Sequence, residues 1–176
     1  MDIINEYKDI ALSNSDVLKL VNGKANIILY PELVNYNSID EILEPYGACF
    51  LLFEARLKPF PYGHWCCLFK LDNQTIEFFN PYGGYPDDSL EYIPMDIRKQ
   101  SNQDYPYLSW LMINSPYDLT YNEHKFQKHG NNIKTCGRWC AVRLLCRNSN
   151  LEQFTKIFKN KNGDELVTLV TMWINK

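Results

Sequence analysis

The sequence predicts an α+β fold, a central mixed β-sheet flanked by helices, and three observations carry that reading. Residues 48–55, 64–71 and 75–79 are short apolar runs bounded by turn-forming residues, as strands are. Downstream, Trp139, Cys140, Val142, Leu144 and Leu145 supply the apolar positions of a core helix that starts at Cys136, and residues 151–158 and 164–174 repeat at amphipathic helical spacing. No internal repeat, low-complexity tract or Gly/Ser-rich linker interrupts the 176 residues, so residues 1–176 are expected to form a single domain.

Taken in order, Ser13 or Ser15 can cap a short helix carrying Val17, Leu18, Leu20 and Val21, which Asn22-Gly23 ends. Residues 27–30 read as a strand. Ser38-Ile39-Asp40-Glu41 has the form of a capping box for a helix that must stop by Pro45. The runs at 48–55 and 64–71 are nearly continuously apolar, as central strands covered on both faces are. Asp72-Asn73 makes a tight turn that pairs residues 64–71 with 75–79 as a hairpin. Residues 80–88, N-P-Y-G-G-Y-P-D-D, cannot continue a strand and form a turn or rigid loop. Residues 106–113 look helical through Leu108, Leu111 and Met112, and residues 117–126 supply one more strand. In the last helix, Leu166, Leu169, Val170 and Trp173 are expected to face inward.

Composition narrows the functional classes. With 45% hydrophobic and 22% charged residues the chain is ordinary globular protein. No run approaches the roughly 20 apolar residues that span a bilayer, and residues 1–12 are too acidic and broken for a signal peptide, so a cytosolic or nucleoplasmic protein without membrane contact is expected. Cys66 and Cys67 are adjacent in one strand, and Cys136, Cys140 and Cys146 share one helix. That arrangement predicts free thiols rather than a disulfide framework, and no spacing has the grammar of a zinc site. Residues 121–176 carry 10 Lys and Arg against 4 acidic residues, leaving 8 against 17 in the first 120. This split, +6 against −9, marks a basic C-terminal third that could contact nucleic acid.

One stretch, K-T-C-G-R-W-C at 134–140, would put Cys136 on the first turn of its helix, where unpaired N–H groups favour a thiolate. Gly137 beside it would admit another backbone close to the sulfur. Of the three histidines, His64 opens a central strand, a rigid mount for a base, whereas His124 and His129 lie in polar sequence suited to a solvated surface. The hairpin brings the head of the His64 strand beside the tail of the Phe79 strand, so the Asn80 oxygen could accept the imidazole N–H and fix its tautomer. Asp87 and Asp88 are spare carboxylates in the same loop. Gln127, nine residues before Cys136, is an uncharged donor suited to a developing oxyanion. Singly, each has a structural alternative: a buried thiol, a hydrogen-bonded core histidine, a turn asparagine, a surface glutamine.

Together and in order, G-H-W, F-F-N-P-Y-G, Q and T-C-G-R-W-C resemble the adenovirus-type maturation proteases and the SUMO-specific proteases of the same clan of cysteine peptidases. The likeness is greatest to small single-domain members from virophages, Polinton-like elements and large DNA viruses. It covers about residues 48 to 146. The resemblance implies a papain-like core in His-Asn-Cys order, with Cys136 as nucleophile, His64 as general base and acid, Asn80 as orienter and Gln127 as oxyanion donor. It also implies Trp65 and Gly137 beside the substrate, no cofactor and no metal. Asn80 departs from the pattern, since adenovirus enzymes carry glutamate and SUMO proteases aspartate there. No counterpart is seen of the cysteine that binds the adenovirus activating peptide.

The activity so implied is cysteine endopeptidase, a maturation protease cleaving virion precursor (capsid) proteins after small residues such as glycine. Such an enzyme is expected as a monomer in host cytoplasm or nucleus, packaged in the virion, with a peptide or DNA activator as a further partner. A ubiquitin-like-protein deconjugase, an acyltransferase and a non-catalytic binding module are the alternatives on the same fold.

Overall fold

In the computed structural model, which describes residues 3–56 and 62–175, five strands form one mixed sheet in the order β1-β2-β3-β4-β5. They are β1 (Asn26–Leu29), β2 (Ala48–Ala55), β3 (Tyr62–Lys70), β4 (Thr75–Phe79) and β5 (Asp118–Tyr121). The two edge pairs, β1 with β2 and β4 with β5, are parallel, and the β2-β3-β4 centre is antiparallel. The β3-β4 hairpin forms as expected. Asp72 Oδ1 accepts from the N–H groups of Gln74 and Thr75 at 2.8 Å each, holding the turn, and the register Lys70↔Ile76 to Cys67↔Phe79 follows.

Among the described residues eight α-helices flank the sheet: α1 (Ile3–Lys8), α2 (Asn14–Leu20), α3 (Ile39–Leu43), α4 (Met95–Gln100), α5 (Tyr107–Ile113), α6 (Cys136–Leu145), α7 (Leu151–Phe158) and α8 (Gly163–Ile174). Residue parity along β2 and β3 divides the core. Phe50, Trp65, Cys67 and Phe69 point to the side of α2, α6, α7 and α8, whereas Cys49, Leu51, Phe53, Cys66 and Leu68 point to the side of α3 and α5. Both central strands are therefore buried on two faces, which is why their sequences are nearly unbroken apolar runs.

A buried ion pair ties the sheet to α6. Arg143 meets Glu77 of β4 through two bonds, 2.8 and 2.9 Å, between the rings of Phe69 and Phe154. All six cysteines are free thiols, and only Cys136 and Cys146 are not fully buried. Among the described residues no helix is long and apolar enough to cross a membrane, and no three His, Cys, Asp or Glu side chains cluster to hold a metal.

Several expectations need correction. The strand foreseen over 117–126 is only Asp118–Tyr121, because the Asn122 side chain turns back to bond the Asn80 backbone and ends the ladder. Residue 30 belongs to a 3-10 helix, Tyr30–Asn35, rather than to β1. Ser38 caps α3 without a side-chain bond to its backbone, while Ser13 and Asp16 form the full box at α2. In α8 the inward face is Asp164, Val167, Thr168 and Thr171, not Leu166, Leu169, Val170 and Trp173; Trp173 is 76% exposed. Thr168 and Thr171 bury cheaply because each hydroxyl donates to the carbonyl four residues back, at 2.7 Å.

Candidate active site

The site lies where β3 begins and β4 ends, opposite the start of α6. Asn80 follows β4 directly, and the antiparallel register carries it to His64: His64 Nε2 and Asn80 Oδ1 are 2.8 Å apart in a buried contact. Which atom holds the proton follows from the neighbours. The Tyr82 backbone N–H points at the same Asn80 oxygen, 2.9 Å away, and a backbone amide can only donate. The atom at that position is therefore oxygen, so His64 Nε2 carries hydrogen and Nδ1 keeps the lone pair.

Every other polar group of Asn80 is also bonded. Its Nδ2 donates to Ser89 Oγ at 3.2 Å, its N–H to Asn122 Oδ1 at 2.9 Å, and its carbonyl accepts from Asn122 Nδ2 and the Gly83 N–H. This network makes Asn80 a rigid acceptor rather than a mere turn former. Asp87 is spent elsewhere, accepting from the Tyr30 hydroxyl and the Ser109 N–H, so it does not compete for the imidazole. The glycines of the loop are needed: Gly83 and Gly84 have φ of +76° and +109°, and a Cβ on Gly83 would lie 2.5 Å from the Glu123 carbonyl oxygen.

Cys136 is the first residue of α6 and partly accessible. It lines a cleft of about 550 Å³ together with His64, Trp65, Tyr62, Tyr82 and Gln127. The expected low thiol pKa is not found. Burial pushes the Cys136 thiol up, and the backbone N–H groups of Trp65, Gly137 and Cys136 itself offset this only in part. Burial likewise pushes His64 down to about 4, against the hydrogen bond to Asn80, which favours the imidazolium. Burial therefore disfavours the charged form of each group alone.

Gln127 is 2% exposed, with its backbone N–H on the Pro81 carbonyl at 2.9 Å. Its Nε2 donates to the Ile133 carbonyl at 3.1 Å, which settles the amide orientation, and to the Tyr82 hydroxyl at 3.3 Å; Oε1 is buried without a partner. Trp65 borders the cleft, although most of its ring is core and its indole N–H donates to the Leu12 carbonyl at 3.0 Å. Gly137, the residue after Cys136, packs against Trp65 and Val17. It is buried, and a Cβ there would lie 3.0 Å from Trp65 Cδ1 and 3.1 Å from Val17 Cγ1.

Two residues at the site escaped sequence reading. Tyr82 stacks on His64, and nothing in N-P-Y-G distinguishes such a tyrosine from a turn aromatic. Asp164, at the start of α8, accepts from the Lys128 N–H, the Thr135 hydroxyl and the Trp139 indole N–H at 3.1, 2.6 and 2.9 Å. It thereby fixes the residues that flank Gln127 and Cys136. No local pattern announces it, because its partners are 25 to 36 residues away.

No family model matches this sequence. The chain is similar in structure to the ASFV pS273R protease, at a TM-score of 0.49 and 13% identity over 97% of this chain and 69% of that one. In sequence it is 52% identical to the uncharacterized protein V9 of Sputnik virophage over 178 residues, 98% of this chain and 100% of the relative. On that match, the chain belongs to the family of the Sputnik virophage V9 protein.

Proposed function

We propose that this protein is a cysteine endopeptidase that matures virion precursor proteins, of the clan of adenovirus-type and SUMO-specific proteases. The observation that carries the proposal is the His64–Asn80 bond, which leaves the Nδ1 lone pair free in the cleft that Cys136 and Gln127 also line. In the proposed reaction, Cys136 Sγ attacks the scissile carbonyl carbon while its proton passes to His64 Nδ1. The oxyanion is held by Gln127 Nε2–H and the Cys136 backbone N–H. As the C–N bond breaks, His64 protonates the departing amine. Water, giving its proton to His64, then hydrolyses the thioester and frees the enzyme.

Asparagine in place of a carboxylate is consistent with this scheme. The imidazolium exists only while the sulfur is anionic or bonded to an oxyanion, so its counter-charge lies on the substrate side. Cleavage after small residues such as glycine, in capsid precursors, is what the clan resemblance implies, with the enzyme packaged in the virion and acting in host cytoplasm or nucleus. A polyanionic activator such as DNA is supported by a second cavity of about 710 Å³, where Lys125, Lys128, Lys156, Lys159 and Lys161 outnumber the carboxylates Glu152 and Asp164.

The test is co-expression of the chain with virion structural proteins and mapping of new N-termini by mass spectrometry. New termini following small residues are expected with the wild-type chain and none with Cys136→Ala. Identical termini from both would overturn the proposal.

A further inference from the structure

Tyr82 touches three residues of the site, His64, Asn80 and Gln127. Its ring lies on the His64 imidazole, centroids 4.6 Å apart and planes 12° from parallel. The opposite face is covered by the exposed His129 ring at 4.2 Å and 8°. The Tyr82 backbone N–H donates to the Asn80 oxygen that also accepts from His64. Its hydroxyl, 3.3 Å from Gln127 Nε2, takes the one amide hydrogen that the Ile133 carbonyl does not.

Each contact has a chemical consequence. A ring held parallel to an imidazole blocks rotation about χ2, and its π face favours the imidazolium over the neutral ring. A donor bond of 3.3 Å is longer than the usual 2.9–3.0 Å and is given up readily to a better acceptor, while still fixing where the N–H points. The buried, unpartnered Oε1 leaves the amide otherwise tethered only through Ile133.

Resting on the peptidase reading above, we propose that Tyr82 is a positioning residue with two separable roles. Its ring aligns the His64 base, and its hydroxyl keeps the Gln127 N–H oriented until an oxyanion takes that hydrogen bond over.

Two reagents separate the roles. Iodoacetamide alkylates Cys136 by displacing iodide at a saturated carbon. The thiol proton goes to His64 and no oxyanion forms, so this rate reads the base alone. p-Nitrophenyl acetate acylates Cys136 with the same proton transfer. The S–C bond forms, the oxyanion passes through the Gln127 site, and p-nitrophenolate leaves, so this rate reads base and oxyanion donor together.

Tyr82→Phe, which keeps the ring, is expected to alkylate within about twofold of wild type but to acylate roughly three- to tenfold more slowly. On a Gln127→Ala background the same substitution should cost nothing further. Tyr82→Leu should slow both reactions about tenfold or more, with Tyr82→Phe restoring the alkylation rate. Far-UV circular dichroism establishes that each variant is folded. Three results would overturn the inference alone: full alkylation by Tyr82→Leu, equal loss in both reactions for Tyr82→Phe, or an undiminished Tyr82→Phe effect on Gln127→Ala. If wild-type Cys136 alkylates no faster than the partly accessible Cys146, the peptidase reading itself falls and takes this inference with it.

Discussion

Replacing Asn80 gives the sharpest test of how the histidine is held. In Asn80→Ala the His64 Nε2–H loses its 2.8 Å acceptor at a position where Asn80 and His64 are both 2% exposed. A buried donor left without a partner costs about 1–3 kcal/mol. Carried into the transition state for proton transfer, that is about a 5- to 150-fold loss of rate. Asn80→Asp differs, because its carboxylate accepts from both His64 and the Tyr82 N–H, and the Ser89 hydroxyl can turn to donate to the second oxygen. The added negative charge also favours the imidazolium, which raises the His64 pKa from about 4. The assay is the rate of Cys136 alkylation by iodoacetamide between pH 3.5 and 8, resolved by peptide mapping. Wild type should lose reactivity as pH falls through about 4, where His64 can no longer take the proton. Asn80→Asp should keep its neutral-pH rate within about threefold and lose reactivity at higher pH than wild type. Asn80→Ala should be slower at every pH. If Ala and Asp variants both match wild type, Asn80 does not hold the base, and the reasoning is refuted.

Three further outcomes are expected. Glu77→Gln should lower stability by about 3–5 kcal/mol in urea unfolding, because it leaves Arg143 buried without its counter-charge. The double change Glu77→Leu with Arg143→Met should recover only part of this, since Arg143 also donates to the carbonyls of Cys146 and Ser149. Stability should fall as pH drops from about 6.5 to about 4: His64 has its folded pKa depressed by burial, so in that window the unfolded chain binds the proton that the folded chain refuses. The contribution is on the order of 3 kcal/mol, measured as the part of the pH dependence of urea midpoints that His64→Gln abolishes. Finally, Asp164→Ala orphans two buried donors and one part-buried donor and should cost about 2–4 kcal/mol, with slower alkylation of Cys136; Asp164→Asn, which keeps an acceptor, should cost clearly less in both measurements.

What could be read from the sequence was what short stretches decide for themselves. Unbroken apolar runs of strand length mark β2 and β3 because a strand covered on both faces has no solvent side, and Asp72 bonds its own turn, so the hairpin and the nearness of Asn80 to His64 followed from local chemistry. The helix at Cys136 was visible for the same reason. The protonation balance of that cysteine was not. A helix start favours the thiolate, but burial opposes it, and burial depends on the strands and loops that close over the sulfur. Tertiary structure alone also brought Tyr82 onto His64, Asp164 behind Thr135 and Trp139, and Arg143 onto Glu77, pairs whose partners are 18 or more residues apart in sequence. The α8 face shows the limit most plainly. By hydrophobicity Leu169, Val170 and Trp173 belong inside, yet Thr168 and Thr171 lie there because their hydroxyls are satisfied within the helix and Arg138 donates to Thr171 at 2.7 Å. A local pattern records which side chains prefer to leave water, whereas which ones do so is decided by the partners that distant segments bring to them.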